Sequence, residues 1–198
     1  MYHLAHDSRP SPRASCRPGA ERARVPLKTR PGALDSQSEK LESADECDRR
    51  WMALALLEAR AAAAEDEVPV GAVIVCGEAL LARAHNRVRA ERDPTAHAEL
   101  LGLRQAARAS GVVRLTECSV YSTVEPCFMC AGALLLARVQ RVVWAVRDPK
   151  FGGCVSLGRV LDHPGTNHRV LLHEGPLADE ARALLQEFFR ARRGKHEE

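Results

Sequence analysis

The 198-residue chain is 45% hydrophobic, enough for one sizeable core, and its length favours a single domain with an appendage over two domains. Eight of its 29 Lys/Arg but only five of its 26 Asp/Glu fall in residues 1–44. Residues 45–198 are therefore formally neutral, which excludes a general basic field as the source of any nucleic-acid affinity. Seven cysteines, an odd number, occur without a secretory apolar run or a stretch that could span a bilayer. Disulfides and a membrane location are thus not expected, and free or metal-bound thiolates in a reducing cytoplasm are.

In chain order, residues 1–44 carry five prolines by Pro31 and no periodic apolar pattern, and read as a disordered leader. Asp7, Glu21, Asp35, Glu39 and Glu42 argue against an organelle transit peptide. From Asp45 onward, Trp51, Leu54, Ala55, Glu58 and Ala62 recur at helical spacing behind acidic residues suited to a helix start. Residues 70–86 hold two apolar runs around Gly77-Glu78, the pattern of a hairpin. A polar loop follows, and His97 to Ala109 suits a second helix, stopped by Gly111 and capped by Thr95 or Asp93. "CSVYSTV" and "RVVWAV" read as short buried strands around "PCFMCAGALLLAR", a helix with proline in its first turn. Strand, helix, strand over about 30 residues implies a right-handed crossover and a parallel pair. "HRVLLHE" predicts a last strand, and Leu177 to about Arg193 a last helix. The sum is an α/β domain over residues 45–198 built on a mixed five-stranded sheet.

Two short motifs carry the chemistry. "TAHAEL" sets His97 and Glu99 two residues apart, which alone describes a histidine beside a solvated acid. "EPCFMC" sets Cys127 and Cys130 three apart in the first turn of a helix, on one face, where unpaired N–H groups favour thiolates. A lone CxxC leaves zinc, a redox dithiol and buried cysteines all open. His97 is a candidate third ligand, with which a tetrahedral zinc would keep one position for water, the pattern of a catalytic site. Glu99 then stands near that water as a general acid/base. A closed structural site would need a fourth ligand from Cys76, Cys118 or Cys154, none of which has paired spacing. His163, His168 and His173 have no partner at ligand spacing.

H-x-E followed by P-C-x-x-C is the signature of zinc nucleobase deaminases. With "EVPVGAVIV", "AHNR", "DPTAHAE", "EPCFMCAGA", "RDPKFG", "HPGTNHRV" and "FFRARR", residues 45–198 resemble the bacterial tRNA-specific adenosine deaminases along their whole length. The first four segments fix the cytidine deaminase-like superfamily, and the last three are closer to the tRNA enzymes. The resemblance implies a three-layer α/β/α fold, one zinc per subunit on His97, Cys127 and Cys130, and proton shuttling by Glu99. It further implies that Asn86 holds a flipped-out base, and that Asp148, Lys150, Phe189, Arg190 and Arg193 lie along a tRNA anticodon loop. The reaction would be hydrolysis of adenosine to inosine at the wobble position, by a homodimer whose interface completes each site, with no organic cofactor. "FGGCVSL" departs from the family's small-residue loop after the lysine, and residues 1–44 have no family counterpart. Two rival readings remain. A free-base or nucleotide deaminase has no use for an aromatic and four cations, Arg190, Arg192, Arg193 and Lys195, at the C-terminus. A non-catalytic zinc-stabilised RNA-binding subunit has no use for Glu99.

Overall fold

The structure, a computed structural model, describes residues 35–194. The expected leader lies outside them up to residue 34, as does Lys195. The elements are α1 (Asp35–Ala64), β1 (Gly71–Cys76), β2 (Ala79–His85), α2 (Ala98–Ser110), β3 (Cys118–Val124), α3 (Phe128–Leu136), β4 (Arg141–Val146), β5 (Leu171–Glu174) and α4 (Ala178–Gly194). Helix α1 begins at Asp35, ten residues before the expected domain start, because no proline or glycine stands between Gly32 and Pro69 to stop it.

The strands form one sheet in the order β2-β1-β3-β4-β5. β1 runs antiparallel to β2 and β3, while β3, β4 and β5 are parallel, so the sheet is mixed as expected. Alternation along the strands divides the core in two. Ile74, Val120, Val142 and Trp144 face Leu103 and Ala106 of α2 and Ala131 and Leu134 of α3. Val73, Val75, Tyr121, Val143 and Ala145 face Trp51, Met52 and Ala55 of α1 and Ala181 of α4. That makes three layers, with α1 and α4 on one side and α2 and α3 on the other.

Two local devices lock α1 to the sheet. A Cβ on Gly71 would sit 2.0 Å from the Ala55 carbonyl oxygen, so only glycine lets β1 start against the α1 backbone. Buried Asp48 accepts hydrogen bonds from the Tyr121 hydroxyl at 2.7 Å and from both Arg141 guanidinium arms at 2.7 and 2.6 Å. Burial opposes ionisation of Asp48, but the Arg141 and Tyr121 hydrogen bonds outweigh it and hold the carboxyl below its usual range.

Two expected details differ. The α2 N-cap is His97, not Thr95 or Asp93. Asp93 closes its own turn instead, its Oδ1 accepting from the Thr95 amide and hydroxyl, each at 2.7 Å. Proline is not in the first turn of α3: Cys127 is the N-cap and Pro126 precedes it.

Candidate active site

Helices α2 and α3 both begin at the same end of the sheet, and each begins with a metal-ligand type of side chain. The carbonyls of His97 and Cys127 accept the first intrahelical bonds, from Leu101 at 2.9 Å and Ala131 at 2.8 Å. Neither side chain makes a cap hydrogen bond. Ordinary caps turn a side-chain oxygen back onto the helix; here imidazole and thiol are left free to meet each other. The missing acceptor comes from Asn86, at the end of β2, whose Oδ1 accepts the Ala98 N–H at 2.9 Å.

His97 Nδ1 lies 3.7 Å from Cys127 Sγ and 3.5 Å from Cys130 Sγ, and the three ligand atoms all lie within 4.8 Å of one another. In a tetrahedral zinc site with bonds of the usual length, nitrogen and sulfur ligands stand about 3.5 Å apart. Donor type and spacing therefore both fit zinc. Among the described residues this is the only such cluster, so Cys76, Cys118 and Cys154 do not close a four-ligand site. A hydrogen bond from Cys130, joined by one from His97, overcomes burial and holds the Cys127 thiol down to about 4. Cys130 is pushed up by that same bond and by deeper burial. The dithiol thus shares one proton, which a metal would displace.

Glu99 follows in the first turn of α2, two residues after His97. It is only 3% exposed, with the Ser122 hydroxyl 3.5 Å from Oε1 and Cys130 Sγ 3.6 Å from Oε2. Burial pushes its carboxyl above the usual range, so it can hold a proton in a way an exposed glutamate would not.

His97, Glu99 and Cys127 line a cavity of about 870 Å³ together with Asn86, Asp148, Lys150, Phe151 and Phe189, while Cys130 is buried behind it. Of the expected substrate residues, Asn86, Asp148, Lys150 and Phe189 are thus brought together, whereas Arg190 and Arg193 stand exposed on α4 outside the lining. Between them Arg192 reaches back to Asp66 at 2.6 Å, and Arg89 pairs with the same carboxylate. Phe189 meets Phe188 edge-on at 5.5 Å.

Two buried carboxylates that shape the loops around the site escape a sequence reading. Glu67 Oε1 accepts the Arg89 and Ala90 amides at 2.7 and 2.8 Å and shapes the loop before α2. Glu125 gathers five donors from residues 148–156. Their one sequence signal is a glutamate beside a Val-Pro or Pro-Cys turn, too common to single out.

The family model for the cytidine and deoxycytidylate deaminase zinc-binding region matches residues 45–146. A tRNA-specific adenosine deaminase of Aquifex aeolicus is 45% identical over 140 residues, 71% of this chain and 92% of that protein. The chain belongs to the tRNA-specific adenosine deaminase family. A solved structure from work on A-to-I editing by tRNA:A34 deaminases at the wobble position of transfer RNA superposes at a TM-score of 0.67 with 41% identity, covering 69% of this chain and 99% of that one. A guanine deaminase from Nitrosomonas europaea superposes at 0.59 with 28% identity, covering 70% of this chain and 82% of that one. The fold and the zinc-binding deaminase region are thus shared across substrates, and the higher identity lies with the tRNA enzymes.

Proposed function

We propose that the chain hydrolyses adenosine to inosine at the wobble position of a tRNA anticodon, releasing ammonia. The observation that carries this reading is a buried carboxyl, Glu99, beside a His/Cys/Cys triad at tetrahedral spacing, with Glu99, His97 and Cys127 lining a cavity large enough for a nucleoside. His97, Cys127 and Cys130 would hold one zinc per subunit, which when bound would supply the lowering of a water's pKa towards neutral pH. Glu99 takes a proton from the attacking water and delivers it to the departing amino nitrogen. Because the Oδ1 of Asn86 is committed to Ala98, its NH₂ end is the one left to donate to a base. Asp148, Lys150 and Phe189 line the walls along which a splayed anticodon loop would run, with Arg190 and Arg193 reaching phosphates further out.

The working unit is a homodimer, a reading supported by apolar side chains left in solvent on and beside α3: Phe128, Met129, Leu136 and Leu157. Free cysteines fit a reducing cytoplasm. Residues 45–198 are the catalytic domain, with α1 extending it upstream. The test is to incubate the purified, zinc-loaded chain with total tRNA and separately with adenosine, guanine and deoxycytidylate, then quantify nucleosides by mass. Inosine in tRNA alone is expected. Turnover of a free base without inosine in tRNA would replace this reading with that of a small-molecule deaminase.

A further inference from the structure

Glu125 sits two residues before the first cysteine ligand, is 2% exposed, and makes no ion pair among the described residues, although Arg147 is near enough to feel its charge. Its side-chain hydrogen bonds all come from one loop. Oε1 accepts the amides of Cys154, Val155 and Ser156 at 3.1, 2.8 and 2.9 Å, and Oε2 accepts the Asp148 amide at 3.1 Å and the Ser156 hydroxyl. Five donors on one carboxylate hold residues 148–156 in a closed turn around it. The loop is built for that approach. A Cβ on Gly152 would fall 2.5 Å from the Glu125 carboxyl carbon and 2.6 Å from the Asp148 carbonyl oxygen, and one on Gly153 would fall 2.9 Å from the Phe128 nitrogen. Gly152 also forms a β-bridge with Cys127, and the Gly153 amide donates to the Pro126 carbonyl at 2.9 Å. The two glycines of "FGGCVSL" are thus the fitted counterpart of Glu125.

The same loop turns three side chains, Asp148, Lys150 and Phe151, into the cavity wall. Asp148 is itself fixed, its Oδ1 accepting the Lys150 and Phe151 amides at 2.9 and 3.2 Å. One buried carboxylate therefore sets where the substrate-facing wall stands relative to the turn that carries Cys127. We propose that Glu125 is the positioning residue of the substrate-facing wall: it registers Asp148, Lys150 and Phe151 against the metal-ligating turn, so that affinity for the RNA loop depends on it. This rests on the reading that the cavity receives an anticodon loop. Glutamine cannot stand in, because whichever way its amide turns, an NH₂ faces at least one backbone N–H of the loop.

The experiment compares wild type with Glu125→Gln and, approached from the loop side, Gly152→Ala. Steady-state rates on an anticodon stem-loop, zinc content and amide hydrogen exchange are measured on each full chain. Both variants should retain zinc and raise KM roughly tenfold or more while kcat stays within about threefold, since binding is weakened and the chemistry is not. In both, the amides of Cys154, Val155 and Ser156 should exchange faster while those of β4 do not. An unchanged KM in both variants, or a fall in kcat and zinc content at unchanged KM, overturns the proposal. Should Glu125→Gln fail to fold, Gly152→Ala and Ser156→Ala carry the same KM criterion. If wild type does not act on the stem-loop, the tRNA reading falls by itself. Exchange then decides the Glu125 anchor: faster exchange at Cys154–Ser156 upholds it, and unchanged exchange overturns it.

Discussion

Glu99 is a carboxyl with a thiol and a hydroxyl beside it, and burial raises its cost of ionisation by more than the charge of His97, which favours the ionised form, lowers it. Such a group suits the proposed role of taking up and giving back a proton within one turnover. Replacing it by glutamine keeps its bulk and can keep the Ser122 hydrogen bond, so the fold and the triad of ligands should survive. The variant is expected to hold zinc at the wild-type ratio by elemental analysis while deamination falls roughly 10²- to 10⁴-fold, the usual worth of general acid/base catalysis. Cys130→Ala should do the reverse in order of cause, losing the metal first and activity with it. Zinc loss in Glu99→Gln would make Glu99 a ligand and leave the proton shuttle without an owner.

Helix α2 is framed by two residues of opposite kinds: His97 opens it as a cap with a free side chain, and Gly111 closes it at φ 70°. A Cβ on Gly111 would meet nothing within 4 Å, whereas one on Gly71 would strike the Ala55 carbonyl oxygen at 2.0 Å. Gly111→Ala therefore costs only backbone strain, about 1 to 2 kcal/mol. Gly71→Ala must push β1 off α1 and should cost at least about 3 kcal/mol. Urea midpoints of the two variants check the ordering, and an equal loss would mean that β1 can shift without penalty. Elements with strong periodicity or a clean glycine stop were legible in the chain: the α1 apolar face, the Gly77 hairpin, "CSVYSTV" as β3, and the end of α2. The triad was legible because all its members are chemically rare types at ligand spacing. What was not legible depends on partners far along the chain. The α2 start went to His97 because its acceptor is Asn86, twelve residues upstream of Ala98. Glu125 received no role from the sequence, because its five donors lie 23 to 31 residues away.

Over residues 45–198 charge is balanced, so binding of a polyanion must come from particular cations near the cavity. Asp66, in a left-handed turn at φ 61°, takes both Arg89 and Arg192, and Arg192 also lies over the Phe188 ring at 4.5 Å. That clamp ties α4 to the loop before α2 and so helps place Phe189 at the cavity. Changing Arg192 would mix charge with position. Arg190 and Arg193, exposed on the same helix, can be changed together to glutamine with the clamp intact. The double variant should fold, keep zinc and retain its melting temperature within about a degree or two, since exposed charges contribute little to stability. Its affinity for an anticodon stem-loop should fall, and the slope of log affinity against log salt should become shallower by up to about two, one for each phosphate no longer neutralised. Binding isotherms across a salt series read both quantities on the same sample. An unchanged slope would remove these two arginines from the RNA interface, and a flattened slope with a collapsed melting temperature would assign them to the fold of α4 instead.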